Sequence, residues 1–276
     1  MSVNLNELQE WRKKTSHIDG WLAVHDLAVF NVILSLQADL GVTNNLLEIG
    51  VFAGKSTVLI GKYIQADEDF HTCDIFDEVT DARNADEISR SYKGLSRNTF
   101  EENCLEVLGY LPVIHQCVSS QLPKKLQGVI FRFIHVDGSH LYEHVAGDLE
   151  FSYNSVQQDF GIIAVDDFRA QHTVGVAIAV WELVVARKLV PLAMTPAKIY
   201  LGSSNSQVDV EMLRKMLEEM NIQTVYEEIL GHRVLRTVGL SDSELYSRVN
   251  KLKSLIPPIV LPLLRKIYVL RIFRNR

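Results

Sequence analysis

The stretch that decides the fold is residues 46–57, which read Leu-Leu-Glu-Ile-Gly-Val-Phe-Ala-Gly-Lys-Ser-Thr. The apolar residues around Glu48 predict a short buried strand, Gly50 and Gly54 predict a tight turn, and the residues that follow predict a helix. Such a turn lets a ligand approach main-chain N–H groups, and the helix N-terminus suits a carboxylate or phosphate. An ordinary strand, turn and helix without a ligand is the alternative interpretation.

The spacing of the glycines separates this turn from two common nucleotide-binding motifs. The stretch reads Glu-x-Gly-x-x-x-Gly, with Gly-Lys-Ser after three intervening residues. A dinucleotide fingerprint would read G-x-G-x-x-G, and a P-loop would place four residues between its glycines. The turn matches neither template.

Length and composition are those of an ordinary globular protein. The chain has 276 residues, of which 47% are apolar and 22% are charged, so one large α/β domain, alone or with a small appendage, is expected. Its three cysteines, Cys73, Cys104 and Cys117, lie in apolar stretches without a C-x-x-C pair, which predicts a reducing cytoplasm. Residues 1–14 are too polar for a signal peptide or membrane span.

Charge is distributed unevenly along the chain. The net charge is −6, yet residues 251–276 carry +7 without an acid, so the rest of the chain carries −13. An acidic body argues against nucleic acid as the partner. The basic and apolar segment 256–276 predicts peripheral contact with an anionic membrane. The alternative is an arm that packs on its own domain or on a neighbouring subunit of a homo-oligomer.

Strands and helices alternate through the chain, which predicts a mostly parallel sheet with helices on both faces. We expect N-terminal helices in residues 1–40 to cover the binding site and a catalytic domain to span residues 41–240. Residues 241–276 are expected to form a C-terminal helix and the tail.

Two strand ends predict contacts with a nucleoside. A strand over residues 70–74 ends in Asp74, where an acid accepts hydrogen bonds from a ribose diol; Asp77 is the rival. Ser119 follows a strand over residues 113–118 and is a weaker candidate for contact with adenine. The polar residues 78–94 predict a loop or lid.

Three carboxylates follow two further strands. Asp137 ends a strand over residues 131–136, and Asp166 and Asp167 end a strand over residues 160–165. The carboxyl ends of parallel strands meet at one rim of the sheet. Carboxylates brought together repel each other unless a cation or proton intervenes, and Mg²⁺ prefers such oxygen ligands.

These motifs occur together and in a characteristic order. They resemble the class I S-adenosylmethionine (SAM) dependent methyltransferases, and more narrowly the macrocin-type sugar O-methyltransferases and relatives of cephalosporin-biosynthesis enzymes. The resemblance covers residues 18–205 and implies a Rossmann-like, seven-stranded methyltransferase fold. It is carried by Glu48-Ile-Gly50-x-x-x-Gly54-Lys-Ser56, Asp74, Asp137-Gly-Ser-His140-x-Tyr142-Glu143 and Asp166-Asp167.

The resemblance also implies roles for individual positions. The residues that would bind SAM, and release S-adenosylhomocysteine, are Glu48, Gly50, Val51, Phe52, Gly54, Ser56, Asp74, Ser119 and Asp137. Asp137, Asp166 and Asp167 match the positions that hold Mg²⁺ in the macrocin-type members, where the ion chelates neighbouring sugar hydroxyls and favours the alkoxide.

One departure from the family pattern concerns the catalytic base. Macrocin-type enzymes tend to read Asp-Gly-Asp where this chain has Ser139, so His140 becomes the best available base, with Asp137 and His172 as further catalytic candidates. A histidine that merely starts a helix is the alternative, since His140, His144 and Asp148 are spaced to share one helix face. A zinc site from the two histidines would need further ligands.

The sequence therefore predicts an enzyme of the methyltransferase class (EC 2.1.1 type). We expect Mg²⁺-assisted O-methylation of a sugar or small-molecule hydroxyl in the cytoplasm. The alternatives are a catechol or amine acceptor, and a SAM-fold protein that binds its ligand without catalysis.

Overall fold

The computed structural model describes residues 5–76, 78 and 96–238. The predictions for Asp77, for the loop over residues 78–94 apart from Glu78 and for the C-terminal segment 241–276 therefore lie outside the described residues. The division into three regions stays a prediction.

Helices and strands largely alternate through the described residues, as predicted. Within these ranges, no helix combines the length and apolar character needed to cross a membrane. The helices are α1 (Leu5–Lys14), α2 (Val24–Asp39), α3 (Lys55–Gly61), α4 (Arg97–Leu108), α5 (Leu122–Lys125), α6 (Tyr142–Ser155), α7 (Val174–Val185) and α8 (Val210–Glu219), with a 3₁₀ turn at Ser119–Gln121.

Nine strands in the described part of the chain form one sheet, in the order β3-β2-β1-β4-β5-β7-β6-β9-β8. Strands β1 to β5 are mutually parallel, and β7 runs antiparallel between β5 and β6. The strands are β1 (Asn45–Ile49), β2 (Phe70–Asp74), β3 (Val113–Gln116), β4 (Phe131–Val136), β5 (Ile162–Val165), β6 (Leu189–Met194), β7 (Ile199–Ser203), β8 (Gln223–Ile229) and β9 (His232–Val238).

The prediction of a mostly parallel α/β fold is confirmed, but the count of seven strands is wrong. The two additional strands, β8 and β9, form a hairpin whose two-residue turn is Leu230-Gly231, with φ of 51° and 80°. Two positive φ values suit the tight turn that joins antiparallel strands. Strand β9 pairs in parallel with β6 at Ala193 and Leu235, and so it covers an edge that would otherwise be open.

The sheet is buried on both faces, as a mostly parallel sheet requires. All six residues of β4 are buried. One apolar core lies against α6 and α7 and includes Leu149 and Val180. The other lies against α2, α3 and α8 and includes Phe30, Leu59 and Leu213. Both layers leave the carboxyl ends of β1, β2, β4 and β5 on one rim, where α/β folds bind ligands.

Candidate active site

A cavity of about 630 Å³ lies at this rim, a size typical of small-molecule and cofactor pockets. The turn after β1 forms one wall, and the segments that follow β2, β3, β4 and β5 form the others. The wall segments are 19–21, 49–52, 55–56, 73–75, 117–120, 137–140, 143–144, 147–148, 166–167 and 172.

The turn after β1 is held against the end of β2 by one carboxylate. The backbone N–H groups of Val51 and Phe52 donate to Oδ2 of Asp74 at 2.7 and 3.1 Å, and that of Phe76 donates to Oδ1 at 2.7 Å. Burial raises the pKa of Asp74, and these three N–H groups partly offset that rise. Since a carboxylate offers about four lone-pair sites and these three N–H groups occupy three of them, about one site remains for a ribose hydroxyl.

Gly50 lets this turn pass close to the end of β4. Its φ is +83°, and a Cβ added there would lie 2.0 Å from the carbonyl oxygen of Asp137. The close approach of two backbone segments requires glycine at this position. It also brings Asp137 next to the turn, as predicted.

Most of the predicted cofactor residues line the cavity: Gly50, Val51, Phe52, Ser56, Asp74, Ser119 and Asp137. Glu48 and Gly54 instead lie behind the wall, which corrects the prediction of direct contact. Gly54 precedes α3 with a φ of +92°, and its Cβ position faces Phe100 at 3.1 Å.

Glu48 is directed into the core because of its partners there. Its carboxylate accepts from the hydroxyl of Thr57 at 2.5 Å and lies 2.8 Å from Nδ1 of His135. Burial raises the pKa of Glu48 to about 7. Both Glu48 and Gly54 thus lie in the protein interior and support the cavity wall from behind.

Asp148 lies in the cavity wall near Ser119. It is 4% exposed, and burial raises the pKa of its carboxyl from 3.8 to about 7, although the hydroxyl of Ser119 opposes the rise. His144 and Asp148 both belong to α6, whereas His140 precedes the helix, which begins at Tyr142. The three residues border one cavity without sharing one helix.

Replacing Asp148 with asparagine is expected to flatten the dependence of stability on pH. Because the folded chain holds this proton more tightly than the unfolded chain, the contribution is full below pH ~4 and is lost as pH rises through about 7. Asp148→Asn should therefore raise the free energy of unfolding at pH 8 by about 2–4 kcal/mol relative to wild type. The two proteins should converge near pH ~4. Urea unfolding at several pH values measures this.

The exposed carboxylate of Asp159 provides the matched control. Because this side chain is exposed, Asp159→Asn should change the free energy of unfolding by no more than about 0.5 kcal/mol. An effect of Asp148→Asn that did not change with pH would contradict the assigned cause.

The ammonium group of a lysine in this chain lies at the predicted acidic rim. The ammonium Nζ of Lys198 lies 2.5 Å from Oδ2 of Asp166, 3.0 Å from Nε2 of His135 and 3.7 Å from Oδ2 of Asp137. Lys198 is 1% exposed. Burial alone would lower its pKa, but the charges of Asp166, Asp137 and Asp26 together raise it. The sequence prediction missed this lysine.

The pKa values of the two aspartates beside Lys198 shift in opposite directions, although the ammonium lowers both. Burial opposes ionisation of Asp166, yet the adjacent ammonium lowers the pKa of that carboxyl below its usual value. Burial and the charge of Asp166 raise the pKa of Asp137 well above its usual value. The side chain of Asp137 is still 26% exposed, so it faces the cavity.

Asp167 is turned away from the other two carboxylates. Its φ is +54°, and its backbone N–H donates to Oδ1 of Asp166 at 2.8 Å. Its own Oδ2 lies 2.7 Å from Nε2 of His140. Although burial opposes it, the bond and charge of His140 lower the pKa of Asp167. The imidazole of His172 stands edge-on to that of His140, with ring centroids 6.0 Å apart.

The three predicted Mg²⁺ ligands therefore share one rim, but Asp167 pairs with His140 at 2.7 Å and stands apart from the other two. Among the described residues, the cluster with ligand spacing is His135, Asp137 and Asp166, whose ligand atoms lie within 4.8 Å of one another. These are the atoms that surround the ammonium of Lys198. The prediction assumed carboxylates without a counter-charge, and this donor set does not fit an additional Mg²⁺.

Two aromatic rings border the opening of the cavity. Trp21 is 66% exposed, and its ring stacks on that of Phe52 with centroids 5.7 Å apart. Both residues line the cavity. Together they shield the turn after β1 on its solvent side.

Comparison with known proteins agrees with this arrangement. Residues 47–168, from β1 to just beyond β5, match a family model described as a methyltransferase domain. Among curated proteins no match was found.

Several solved structures match this chain at low sequence identity. The O-methyltransferase NovP is 18% identical, with a TM-score of 0.50 over 64% of this chain and 80% of that chain. The calicheamicin methyltransferase CalS11 is 16% identical, with a TM-score of 0.48 over 71% and 91%. The O-methyltransferase TomG from Streptomyces achromogenes, in complex with SAM, is 15% identical, with a TM-score of 0.45 over 71% and 87%. At this identity, the likeness to NovP establishes the fold.

Proposed function

We propose that this chain, a class I SAM-dependent methyltransferase by its domain and fold, methylates a hydroxyl oxygen of a sugar or another small molecule. The observation that carries the choice of oxygen is the pair of His140 and Asp167, joined at 2.7 Å in the cavity wall. A hydroxyl is a weak nucleophile until a neighbouring base takes its proton. An amine in its free-base form already presents a lone pair.

We assign the two residues distinct tasks. With the Nε2 proton of His140 directed to Oδ2 of Asp167, Nδ1 is the basic nitrogen of this tautomer. We assign Nδ1 the removal of the acceptor proton. Asp167 then orients the ring and stabilises the imidazolium that forms, as the carboxylate does in a catalytic triad.

The cofactor is assigned to the other end of the same cavity. When bound, SAM supplies a methyl group that is electrophilic because it is attached to a sulfonium. The turn at residues 50–52 and Ser56 would hold its methionine part, Asp74 its ribose and Ser119 its adenine, since these groups line the wall in that order from β1 to β3. Trp21 and Phe52 would limit access of water.

The second assigned catalytic group, Asp137, lies between the two ends of the cavity. It follows β4 directly and packs against Gly50, so it adjoins both the cofactor turn and the rim that holds His140. We propose that it accepts a hydrogen bond from the acceptor. His172 is the alternative base, because it too lies in the wall near His140.

A panel of acceptors tests the proposal. The purified chain is incubated with methyl-labelled SAM and a nucleotide sugar, a monosaccharide glycoside, a catechol or a primary amine, and labelled product and S-adenosylhomocysteine are measured. Label in a methyl ether of a hydroxylated acceptor is the expected result. Transfer confined to the amine would contradict O-methylation. SAM binding without transfer to any class would favour the non-catalytic alternative.

Partners and location are proposed on the sequence alone. We retain a small-molecule or glycan acceptor, a homo-oligomer, a cytoplasmic location and peripheral membrane contact through residues 256–276. Liposome flotation of the full chain and of a chain truncated after Leu255 tests the membrane contact. Equal flotation of the two proteins would contradict a membrane contact through residues 256–276.

A further inference from the structure

We propose that the ammonium of Lys198 is the resident cation of the acidic rim and takes the place of a divalent metal ion, so that methyl transfer needs no metal. The inference deepens the proposed function and rests on it, because it concerns the same acceptor site. The contacts of Lys198 support this inference. The family resemblance gave no role to this lysine.

The N–H donors of the Lys198 ammonium face acceptor atoms on neighbouring side chains. An ammonium has three N–H donors and no acceptor. Nζ of Lys198 lies within hydrogen-bond distance of Asp166 at 2.5 Å and of His135 at 3.0 Å, and it makes a longer ion-pair contact with Asp137 at 3.7 Å. The same three side chains are the cluster with metal-ligand spacing. A metal ion and this ammonium would therefore compete for one set of atoms.

His135 and Phe30 also fix the position of the ammonium. Because Lys198 donates to Nε2 of His135, the ring proton lies on Nδ1 and is donated to Glu48 at 2.8 Å. Burial and the charge of Lys198 lower the pKa of His135 well below its usual value, which keeps the ring neutral. The ring of Phe30 lies 5.9 Å from Nζ, within the range of a cation–π contact.

The backbone of Lys198 is fixed as well. Its N–H donates to Oγ1 of Thr195 at 2.8 Å, and that hydroxyl donates to the buried carboxylate of Asp26 at 2.5 Å. Tyr200 donates to the same carboxylate at 2.9 Å. The turn between β6 and β7 therefore delivers the lysine to the rim from the antiparallel part of the sheet. Moving the ammonium to admit a metal would break its contacts with Asp166 and His135.

Lys198 acts as a positioning residue. It lies behind the cavity wall, whereas Asp137 and Asp166 belong to the wall. By neutralising part of their charge, the ammonium keeps two carboxylates together that would otherwise repel each other. Acceptor hydroxyls would then donate hydrogen bonds to these carboxylates, where a metal-assisted enzyme would chelate the hydroxyls through its ion.

Titration with Mn²⁺, a probe ion that takes the same oxygen ligands as Mg²⁺, tests the inference. Electron paramagnetic resonance counts the bound ion on the full chain, with S-adenosylhomocysteine present. Wild type is expected to bind no stoichiometric Mn²⁺ below ~1 mM, and its turnover should change less than about twofold between Mg²⁺ and EDTA. One tightly bound Mn²⁺ that disappears in Asp166→Asn, with turnover lost in EDTA, would overturn the inference.

Two substitutions of Lys198 test whether its positive charge is what excludes a metal ion from the rim. Lys198→Met removes the ammonium at similar length and should create one Mn²⁺ site, with at least a tenfold gain in affinity. Lys198→Arg keeps the charge and should gain none. A folded Lys198→Met that gains no Mn²⁺ site would also overturn the inference; melting and S-adenosylhomocysteine binding establish folding. If Lys198→Met does not fold, the wild-type titration decides.

The outcome is independent of the acceptor assignment. If wild type fails to bind SAM, the proposed function fails, but the Mn²⁺ titration still reports which cation the rim accepts. If SAM binds and Mn²⁺ binds tightly at the rim, the methyltransferase assignment stands and the role of Lys198 is wrong.

Discussion

Replacing His140 with alanine is expected to lower kcat by about 10²–10⁴-fold, the usual contribution of a positioned general base. The affinity for SAM should stay within about threefold, because the cofactor is assigned to the turn at residues 50–52 and to Asp74, which bond to each other, whereas this imidazole pairs with Asp167. Single-turnover methyl transfer and calorimetric titration with SAM measure the two effects separately.

Three further variants show whether the pair with Asp167 is the cause. Asp167→Asn keeps the shape but removes the charge that stabilises the imidazolium, so kcat should fall by a similar factor. His144→Ala should cost less than about tenfold, since Nδ1 of His144 bonds to the hydroxyl of Ser139. A larger loss in His172→Ala than in His140→Ala would transfer the role of base to His172. Full turnover in His140→Ala would contradict the mechanism.

Replacing Gly50 with alanine is expected to lower kcat/KM for SAM by about 100-fold or more. The added Cβ would lie 2.0 Å from the carbonyl oxygen of Asp137 and 2.7 Å from Cα of Gly138, so the turn and the end of β4 must separate. A displacement of about 1 Å in a binding constellation costs on the order of 10²-fold. Steady-state kinetics and S-adenosylhomocysteine titration provide the measurement.

Gly109 offers a matched control for backbone strain. Its φ is +79°, close to the +83° of Gly50, and among the described residues no atom lies within 4 Å of its Cβ position. Gly109→Ala should therefore cost about 1 kcal/mol of stability, the strain of a left-handed residue, and leave SAM affinity unchanged. Equal losses of SAM affinity in both variants would show that strain, rather than the contact with Asp137, causes the defect.

The parts of the site that sequence reasoning located are those that depend on one local rule. Asp74, Asp137, Asp166 and Asp167 each follow a buried strand, and the carboxyl ends of parallel strands meet at one rim. The structure places all four in one cavity wall. His140 follows Asp137 by three residues, and its position there was predictable for the same reason.

Lys198 could not be located in this way. A lysine before a strand is ordinarily a surface residue, and the turn that carries it follows Asp166 by about thirty residues of sequence. It reaches the rim because β7 is inserted antiparallel beside β5, with Ile199 opposite Val165. That pairing depends on the whole sheet. Because the sequence does not reveal that pairing, the three carboxylates alone indicated a metal ion.

Glu48 and the hairpin show two other limits. The motif around Glu48 predicted a ligand contact, but the partners that draw its side chain inward, Thr57 and His135, come from a helix and a neighbouring strand. The turn Leu230-Gly231 lacks the Asn-Gly or Asp-Gly pair that usually marks a hairpin. The sequence therefore carries no local turn signal for this hairpin.

The most direct test of the central claim is calorimetric titration of the chain with SAM and with S-adenosylhomocysteine, in Mg²⁺ and again in EDTA. The account predicts micromolar binding of both ligands with the same affinity in the two conditions, because Asp74 and the turn at residues 50–52 hold the cofactor and Lys198 supplies the cation of the rim. Absence of binding in both conditions would contradict the assignment of this cavity to SAM.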